Sequence, residues 1–465
     1  MDITVLCLVI ILTLALAANG QFPDYGIVVD AGSSGSRARV YYITLQGKEV
    51  QVPVMKEVYS YKVRPGISAF GGKTEELEQY IKKLMENVRN SSAVPELKIT
   101  HTPIYFMATA GMRLLIESNA NQVMEEINKL LSDKKINPYK YQPSHTRILS
   151  GEEEGAFAWI TVNYLNGFFT GDRSDSVGVL ELGGASTQIA FVPKGSPLAN
   201  KFPVEVGGIE YPLYVHSYLY YGQEYATRWS REYLIGLEEN KDKKVIENPC
   251  ILHNDSLDIT MHGVDYSFDG TGNPDECLKL VDEYVYKAEP FRCHPKPCAI
   301  GGVYQPTVDE TKEFFAIGAF FFPIRSFQIA REGRIVLPQD ILKGAFKFCR
   351  MGFDEGKQVS KEKDEFVSGN CLMGLYTSRL LTKAYGFKND TEQIRVLNDI
   401  KDEPINWAMG ALLYEVSKVT KPACEKVGAI TGGATSYHFN SNLLMFLFIS
   451  LFIILRFLIS GSTRL

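Results

Sequence analysis

This chain has no excess of charge of either sign. Its 49 Lys and Arg stand against 54 Asp and Glu, a net charge of −5 over 465 residues. That excludes a nucleic-acid partner held by bulk electrostatics and confines any polyanion site to a local arrangement. Disorder is excluded as well. Apolar residues make up 45% and charged residues 22%, which at this length suffices for two or three domains with full cores. A third absence is the Gly-Lys-Ser/Thr ending of a P-loop. The first glycine-rich turn, Gly32-Ser33-Ser34-Gly35, leads into Val40-Tyr41-Tyr42-Ile43, a strand pattern rather than a helix.

Both ends are hydrophobic. Ile3 to Ala18 closes in Ala-Leu-Ala-Ala-Asn-Gly, small residues suited to signal peptidase. The basic residue usual before such a run is missing, and Asp2 stands there instead. Residues 1–20 therefore read as a signal peptide or an N-terminal anchor. Leu443 to Ile459 is apolar apart from Arg456, short for a span but usable. Arg456 and Arg464 then fall on the cytoplasmic side. The rival for 443–459 is a lipid-anchor signal, with Gly432-Gly433-Ala434 as its small residues; the membrane span is preferred. Cys7 lies in the leader. In the secretory path the seven other cysteines are expected to form disulfides with one thiol left over. Sequons at Asn90, Asn254 and Asn389 agree with a membrane-anchored body outside the cell or in the secretory lumen.

The stretch Gly26 to Val40 organises the rest. Small apolar residues lead to Asp30, a turn of Gly and Ser follows, and a second apolar run begins: strand, tight loop, strand. Gly32 and Gly35 let an anion approach the amides closely, and Ser33, Ser34 and Ser36 add hydroxyls. Asp30 could hold a metal ion or its waters. A plain hairpin with a capping Asp fits this segment alone equally well. Thr74 to Arg89 keeps helical spacing through Leu77, Tyr80, Ile81, Leu84, Met85 and Val88, an ordinary core stripe. Pro103 to Ala108 reads as a buried strand entering Thr109-Ala110-Gly111-Met112-Arg113. Ser150 with Glu153 makes a capping box for the helix that follows, and the helix dipole accounts for Glu152, which leaves Glu154 free to act as a base. Val177 to Leu182 then repeats the opening pattern: Glu181-Leu182-Gly183-Gly184-Ala185-Ser186-Thr187-Gln188, followed by another strand. Two such hairpins predict two similar lobes facing one cleft. Beyond them, Tyr211 to Trp229 reads as a helical stretch and Glu238 to Lys244 as a solvated loop. Cys250 to Gln305 reads as an irregular stapled insertion, Glu313 to Phe322 as core, Asp402 to Lys418 as a helix, and Lys421 to Asn442 as a juxtamembrane linker.

Together these segments resemble the nucleoside triphosphate diphosphohydrolases, the ecto-apyrase family, over roughly Gly26 to Leu413. The resemblance is carried by Asp30 to Arg37, Ala108 to Arg113, Gly151 to Gly155 with Trp159, Leu182 to Gln188, and Trp407 to Gly410, in the family's order. It implies an α/β, two-lobed fold of the actin, sugar-kinase and heat-shock-ATPase type with a nucleotide in the interlobe cleft. Residues 21–150 would form lobe I, 151–404 lobe II with its insertion, and 405–430 the return to lobe I, before a linker at 431–442. It implies hydrolysis of the terminal phosphate of nucleoside tri- or diphosphates by direct water attack, with Ca²⁺ or Mg²⁺. Glu154 would be the base, and Ser186 and Gln188 would hold the water. Ser33, Ser34, Gly35, Thr109, Ala110, Gly183, Gly184 and Ala185 would bind phosphate. Asp30 and Glu181 would orient waters of the metal. Phe322 would correspond to a base-stacking aromatic. Cys293 with Cys298 and Cys349 with Cys371 look like family pairs; Cys250 with Cys277 then follows by elimination, leaving Cys424 free.

Two departures stand out. The second loop usually begins with Asp, where this chain has Glu181, one methylene longer. Tyr220 stands where cell-surface members often carry Cys, so one disulfide is absent or rewired. The alternatives are an exopolyphosphatase or sugar kinase of the same superfamily, and a nucleotide-binding surface protein with reduced catalysis.

Overall fold

The computed structural model describes residues 23–44, 52–171, 175–237, 242–285, 293–311 and 313–419. The leader, the linker, the 443–459 segment, Cys7 and Cys424 lie outside these residues, as does most of the Glu238–Lys244 loop. Among the described residues no helix is long and apolar enough to cross a membrane.

Two sheets repeat one topology. The first takes β1 (Tyr25–Gly32), β2 (Gly35–Thr44), β3 (Val54–Val63), β4 (Ile104–Ala108) and β5 (Thr146–Ile148) in the order β3-β2-β1-β4-β5. The strands after it are β6 (Gly178–Leu182), β7 (Ser186–Phe191), β8 (Lys201–Val206), β9 (Ile209–Leu219), β10 (Val245–Asn248), β11 (Ser256–Met261), β12 (Val264–Gly270), β13 (Phe314–Gly318) and β14 (Ile394–Val396). The second sheet runs β14-β13-β6-β7-β9-β8. Without its edge strand β8, it matches the first: a hairpin, a third antiparallel strand, then two parallel strands.

The central strands are covered on both faces, which is why β1, β4, β6, β7 and β13 read as near-continuous apolar runs. In β1, Ile27, Val29 and Ala31 face outward to α1 (Thr74–Asn90) and α2 (Glu117–Ser132), while Val28 faces the middle of the molecule. The helical stripe of α1 is buried at the six positions its spacing predicts. The middle layer is α3 (Gly151–Leu165). Among the helices that follow in sequence are α4 (Gln223–Gly236), α5 (Pro274–Val285) and α6 (Trp407–Val419). Helix α6 joins α3 between the sheets, in one core with Val179, Ala190 and Val215 of the second sheet. Helix α3 is apolar on nearly every side, as a helix enclosed on all sides must be.

The approach of α3 and α6 depends on Gly410. A Cβ there would run into the Phe157 carbonyl oxygen and stand 2.8 Å from Thr161 Oγ1. Thr161 Oγ1 donates to the Asn406 carbonyl and accepts the Gly410 N–H, both at 2.8 Å. Gly410→Val is therefore expected to cost about 3 kcal/mol through overpacking. It should lower the thermal midpoint, whereas Gly71→Ala, where a Cβ meets nothing within 4 Å, should leave it unchanged. Differential scanning calorimetry reads both.

Two segments differ from the sequence reading. Most of Tyr211–Trp229 is not helical: residues up to Leu219 form β9, paired with β7, and α4 starts only at Gln223. The alternation decides it. Leu213 and Val215 face the middle core while Tyr214 and Tyr218 face the other side, and Val and Tyr favour such a pleat. Tyr220, at φ 73°, ends the strand. The insertion after Cys250 is also more regular than expected: β11 and β12 form a sheet with β10, which precedes it, and α5 follows. The β11–β12 hairpin turns on His262 and Gly263, both at positive φ. Disulfides join Cys250 to Cys277, Cys293 to Cys298 and Cys349 to Cys371.

Candidate active site

The two hairpins meet at their loops. A Cβ on Gly184 would collide with Ser33 Oγ and lie 2.9 Å from the Glu224 carboxylate. Main chain at position 184 thus lets one loop close against the other. The turn after β4 joins them: Thr109 donates its N–H to Ala31, and a Cβ on Gly111 would lie 3.0 Å from Ser33 Cα. Thr109 and Ala110 are buried there. Among the described residues no protein carbonyl takes the amides of Ser33, Ser34, Gly184 or Ala185, while Gly183 N–H is spent on Ser186 within its own hairpin. Four donors are thereby left at the facing loops, the chemistry of an anion cradle.

Glu154 reaches this place through the start of α3. Ser150 Oγ accepts the Glu153 N–H, and the Glu153 carboxylate accepts the Ser150 N–H, completing the capping box. Glu153 also pairs with Arg147, and Glu152 faces His216 at 3.9 Å. The third acid turns inward. Gly151 and Gly155 make that possible: a Cβ at 151 would collide with Ser217, and one at 155 would stand 2.9 Å from Val215 Cγ1 and 3.2 Å from Gln188 Cβ. The glycine face of the helix therefore lies directly on β7 and β9.

Glu154 is 7% exposed. Its Oε2 accepts from Arg113 Nη2 at 2.6 Å and from Gln188 Nε2 at 3.3 Å. Gln188 Nε2 also reaches Ser186 Oγ at 2.8 Å and Ser217 Oγ at 3.0 Å, and Arg113 Nη2 stands 3.4 Å from Ser186 Oγ. Gln188 Oε1 is buried without a partner among the described residues. Burial pushes the Glu154 carboxyl up to about 7, against the opposing pull of Arg113 and with a further push from Asp30. Glu181, opposite Gln188 across the hairpin, is raised well above the ordinary carboxyl range, first by burial and then by Glu154 and Asp30. Its Oε2 is shut off from solvent with no partner among the described residues. Asp30 is raised by burial, with Arg39, Arg37 and Lys62 pulling the other way.

The structure therefore brings Glu154, Ser186 and Gln188 into one hydrogen-bonded cluster, with Asp30 and Glu181 electrostatically coupled to it. Ser33, Ser34, Gly35, Gly183, Gly184, Ala185, Thr109 and Ala110 belong to the loops around it. Phe322 is not in that cluster. It is the second residue of the short helix Phe321–Phe327 beyond β13, 45% exposed, with the Arg325 guanidinium 5.8 Å from its ring. The sequence reading passed over Arg113 and Ser217, although Arg113 closes one of the blocks that carry the resemblance. The signal was a cation three residues after Ala110 and a hydroxyl on the strand facing Gln188.

A repeated sheet topology, two facing glycine hairpins and a middle layer of two helices define the two-lobed α/β fold of actin, sugar kinases and heat-shock ATPases. Residues 17–428 match the GDA1/CD39 (nucleoside phosphatase) family, and the chain belongs to it. It is 30% identical to ectonucleoside triphosphate diphosphohydrolase 1 of Mus musculus, over 88% of this chain and 85% of that one. It is likewise 30% identical to ectonucleoside triphosphate diphosphohydrolase 3 of Homo sapiens, over 85% and 78%. Among solved structures, the nucleoside triphosphate hydrolases from Neospora caninum share the fold at a TM-score of 0.60 and 16% identity, over 91% of this chain and 98% of that one.

Proposed function

We propose that this nucleoside phosphatase removes the terminal phosphate of nucleoside tri- and diphosphates by direct attack of water, with no covalent phosphoenzyme. The observation that carries the reading is the Glu154 carboxylate, buried between Arg113 and Gln188 with its pKa pushed up to about 7. A carboxylate so tuned accepts a proton near neutral pH. Ser186 Oγ, which accepts from Gln188 Nε2, and the unpartnered Gln188 Oε1 would hold the water in line. Ser33, Ser34, Gly184 and Ala185 would offer amides to the phosphate chain and Ser33, Ser34 and Thr109 hydroxyls, with Gly35, Ala110 and Gly183 shaping the loops that bind it, alignment and charge neutralisation being most of what phosphoryl transfer asks of a protein.

The donor set fits a hard divalent cation. Three coupled carboxylates, Asp30, Glu154 and Glu181, share one buried place, and Glu181 Oε2 is an orphaned acceptor. Among the described residues no three acidic, His or Cys side chains gather closely enough to hold a metal by themselves. Asp30 and Glu181 would therefore grip an ion through its waters, as Mg²⁺ in particular prefers, with Ca²⁺ as the other candidate. Such a cation would offset phosphate charge as it shifts to the leaving oxygen. Phe322 is proposed to present its exposed ring to the nucleobase. The disulfides suit an extracellular or lumenal body. A membrane anchor and glycans on Asn90, Asn254 and Asn389, all exposed, belong to the same reading.

The test is phosphate release by the purified chain from a panel of nucleoside tri- and diphosphates at fixed metal. Free phosphate with the nucleotide one or two phosphates shorter is expected. Release only from inorganic polyphosphate, or transfer to a sugar, would sink the reading.

A further inference from the structure

We propose that Lys62 binds substrate, its ammonium taking the non-transferred phosphate that neighbours the one under attack. The inference rests on the phosphohydrolase reading above and deepens it.

Asp30, Arg37 and Lys62 stand in register across β1, β2 and β3. Like charges directly opposite each other weaken a sheet. Asp30 answers Arg37 from one side. No carboxylate pairs with Lys62: among the described residues none lies within ion-pairing distance of its Nζ, and Asp30 and Glu224 act on it from beyond that range. The stem of Lys62 crosses the first hairpin at its bare position, where a Cβ on Gly35 would be 3.1 Å from Lys62 Cε and 3.3 Å from Arg64 Cγ. Its Nζ donates to Ser34 Oγ at 3.4 Å, at the tip of the loop. The residue is exposed, yet its ammonium is drawn below the usual lysine range, first by partial burial of the group against the loop and then by Arg37 and Arg64. A lone cation crowded by two others at the rim of an anion cradle gains most from a dianionic guest.

Its place along the substrate follows from its neighbours. Asp30, on β1, acts on Glu154, while Lys62 lies two strands out from Asp30, across Arg37 on β2. Lys62 thus stands beyond Asp30 from the base. A phosphate attacked beside Glu154 puts the next phosphate of the chain within reach of Lys62.

The experiment uses the full chain with Lys62→Met, Lys62→Arg and, as a same-charge control, Lys56→Met at the other, exposed end of β3. Orthophosphate and imidodiphosphate are the probes, as inhibitors of nucleotide hydrolysis followed by nucleoside product. Lys62→Met should weaken imidodiphosphate inhibition about tenfold and raise the nucleotide KM by a similar factor, with kcat changed by no more than about twofold. Orthophosphate inhibition should not move. Lys62→Arg should recover most of the loss, and Lys56→Met should match wild type. Unchanged imidodiphosphate inhibition in Lys62→Met, an equal loss for orthophosphate, or the same loss in Lys56→Met would each overturn the assignment. Failure of the wild type itself to hydrolyse nucleotides would instead remove the phosphohydrolase reading and the inference with it.

Discussion

Replacing Glu154 with Gln is expected to lower kcat for nucleotide hydrolysis about 10²- to 10⁴-fold, the range a positioned general base supplies, and to leave nucleotide binding within a few-fold. The amide keeps the size of the side chain and one acceptor for Arg113, but it takes no proton from water. The pH profile gives an independent readout. Burial holds the Glu154 carboxyl at about 7 in the free protein, so its proton is still on below that pH and the base is blocked. In the wild type kcat/KM should climb with pH through about 7 and level off above it. The residual activity of Glu154→Gln should lack that limb. Phosphate-release kinetics from pH 5.5 to 9, with nucleotide binding measured separately, check both. Turnover near the wild-type rate would eliminate Glu154 as the base.

The second large effect is expected from removing the divalent cation. A chelator should take phosphate release to background, and adding the cation back should restore it. The reason lies in the charge at the site. Burial already pushes Asp30, Glu154 and Glu181 each towards its neutral form; Asp30 pushes Glu154 further, and both push Glu181. A phosphate chain brings more negative charge to the same spot. Among the described residues the guanidinium of Arg113 is the one cation hydrogen-bonded to these acids, through Glu154, and it does not balance that total. Asp30→Asn and Glu181→Gln are each expected to move the metal titration midpoint upward by about tenfold or more, an order suggested by the loss of groups that orient metal-bound waters. Glu181→Asp, shorter by one methylene, should keep activity and alter the Ca²⁺-to-Mg²⁺ rate ratio. Full activity in excess chelator would show that the buried acids serve another purpose.

Much of this was legible in the sequence because the decisive signals are local. The α1 stripe, the Ser150–Glu153 cap and the two acid-glycine hairpins each follow from a few neighbouring residues and a fixed period. What the sequence hid depends on partners far along the chain. Arg113 finds Glu154 only because α3 is laid on β7 and β9 by Gly151 and Gly155. Ser217 matters only because its strand pairs with the one bearing Gln188. Residues Tyr211–Leu219 were misread for the same reason. Dense aromatics suit either a helix or a pleat, and pairing with β7 decides between them.

The facing loops have one more consequence. Most of the proposed grip on phosphate comes from peptide N–H groups, those of Ser33, Ser34, Gly184 and Ala185, and mutation does not readily delete a peptide group. Selection acting on the surrounding side chains can then alter which nucleoside is preferred without touching the hydrolytic step. Descendants of such a scaffold can drift from one nucleotide diet to another while their chemistry stays put.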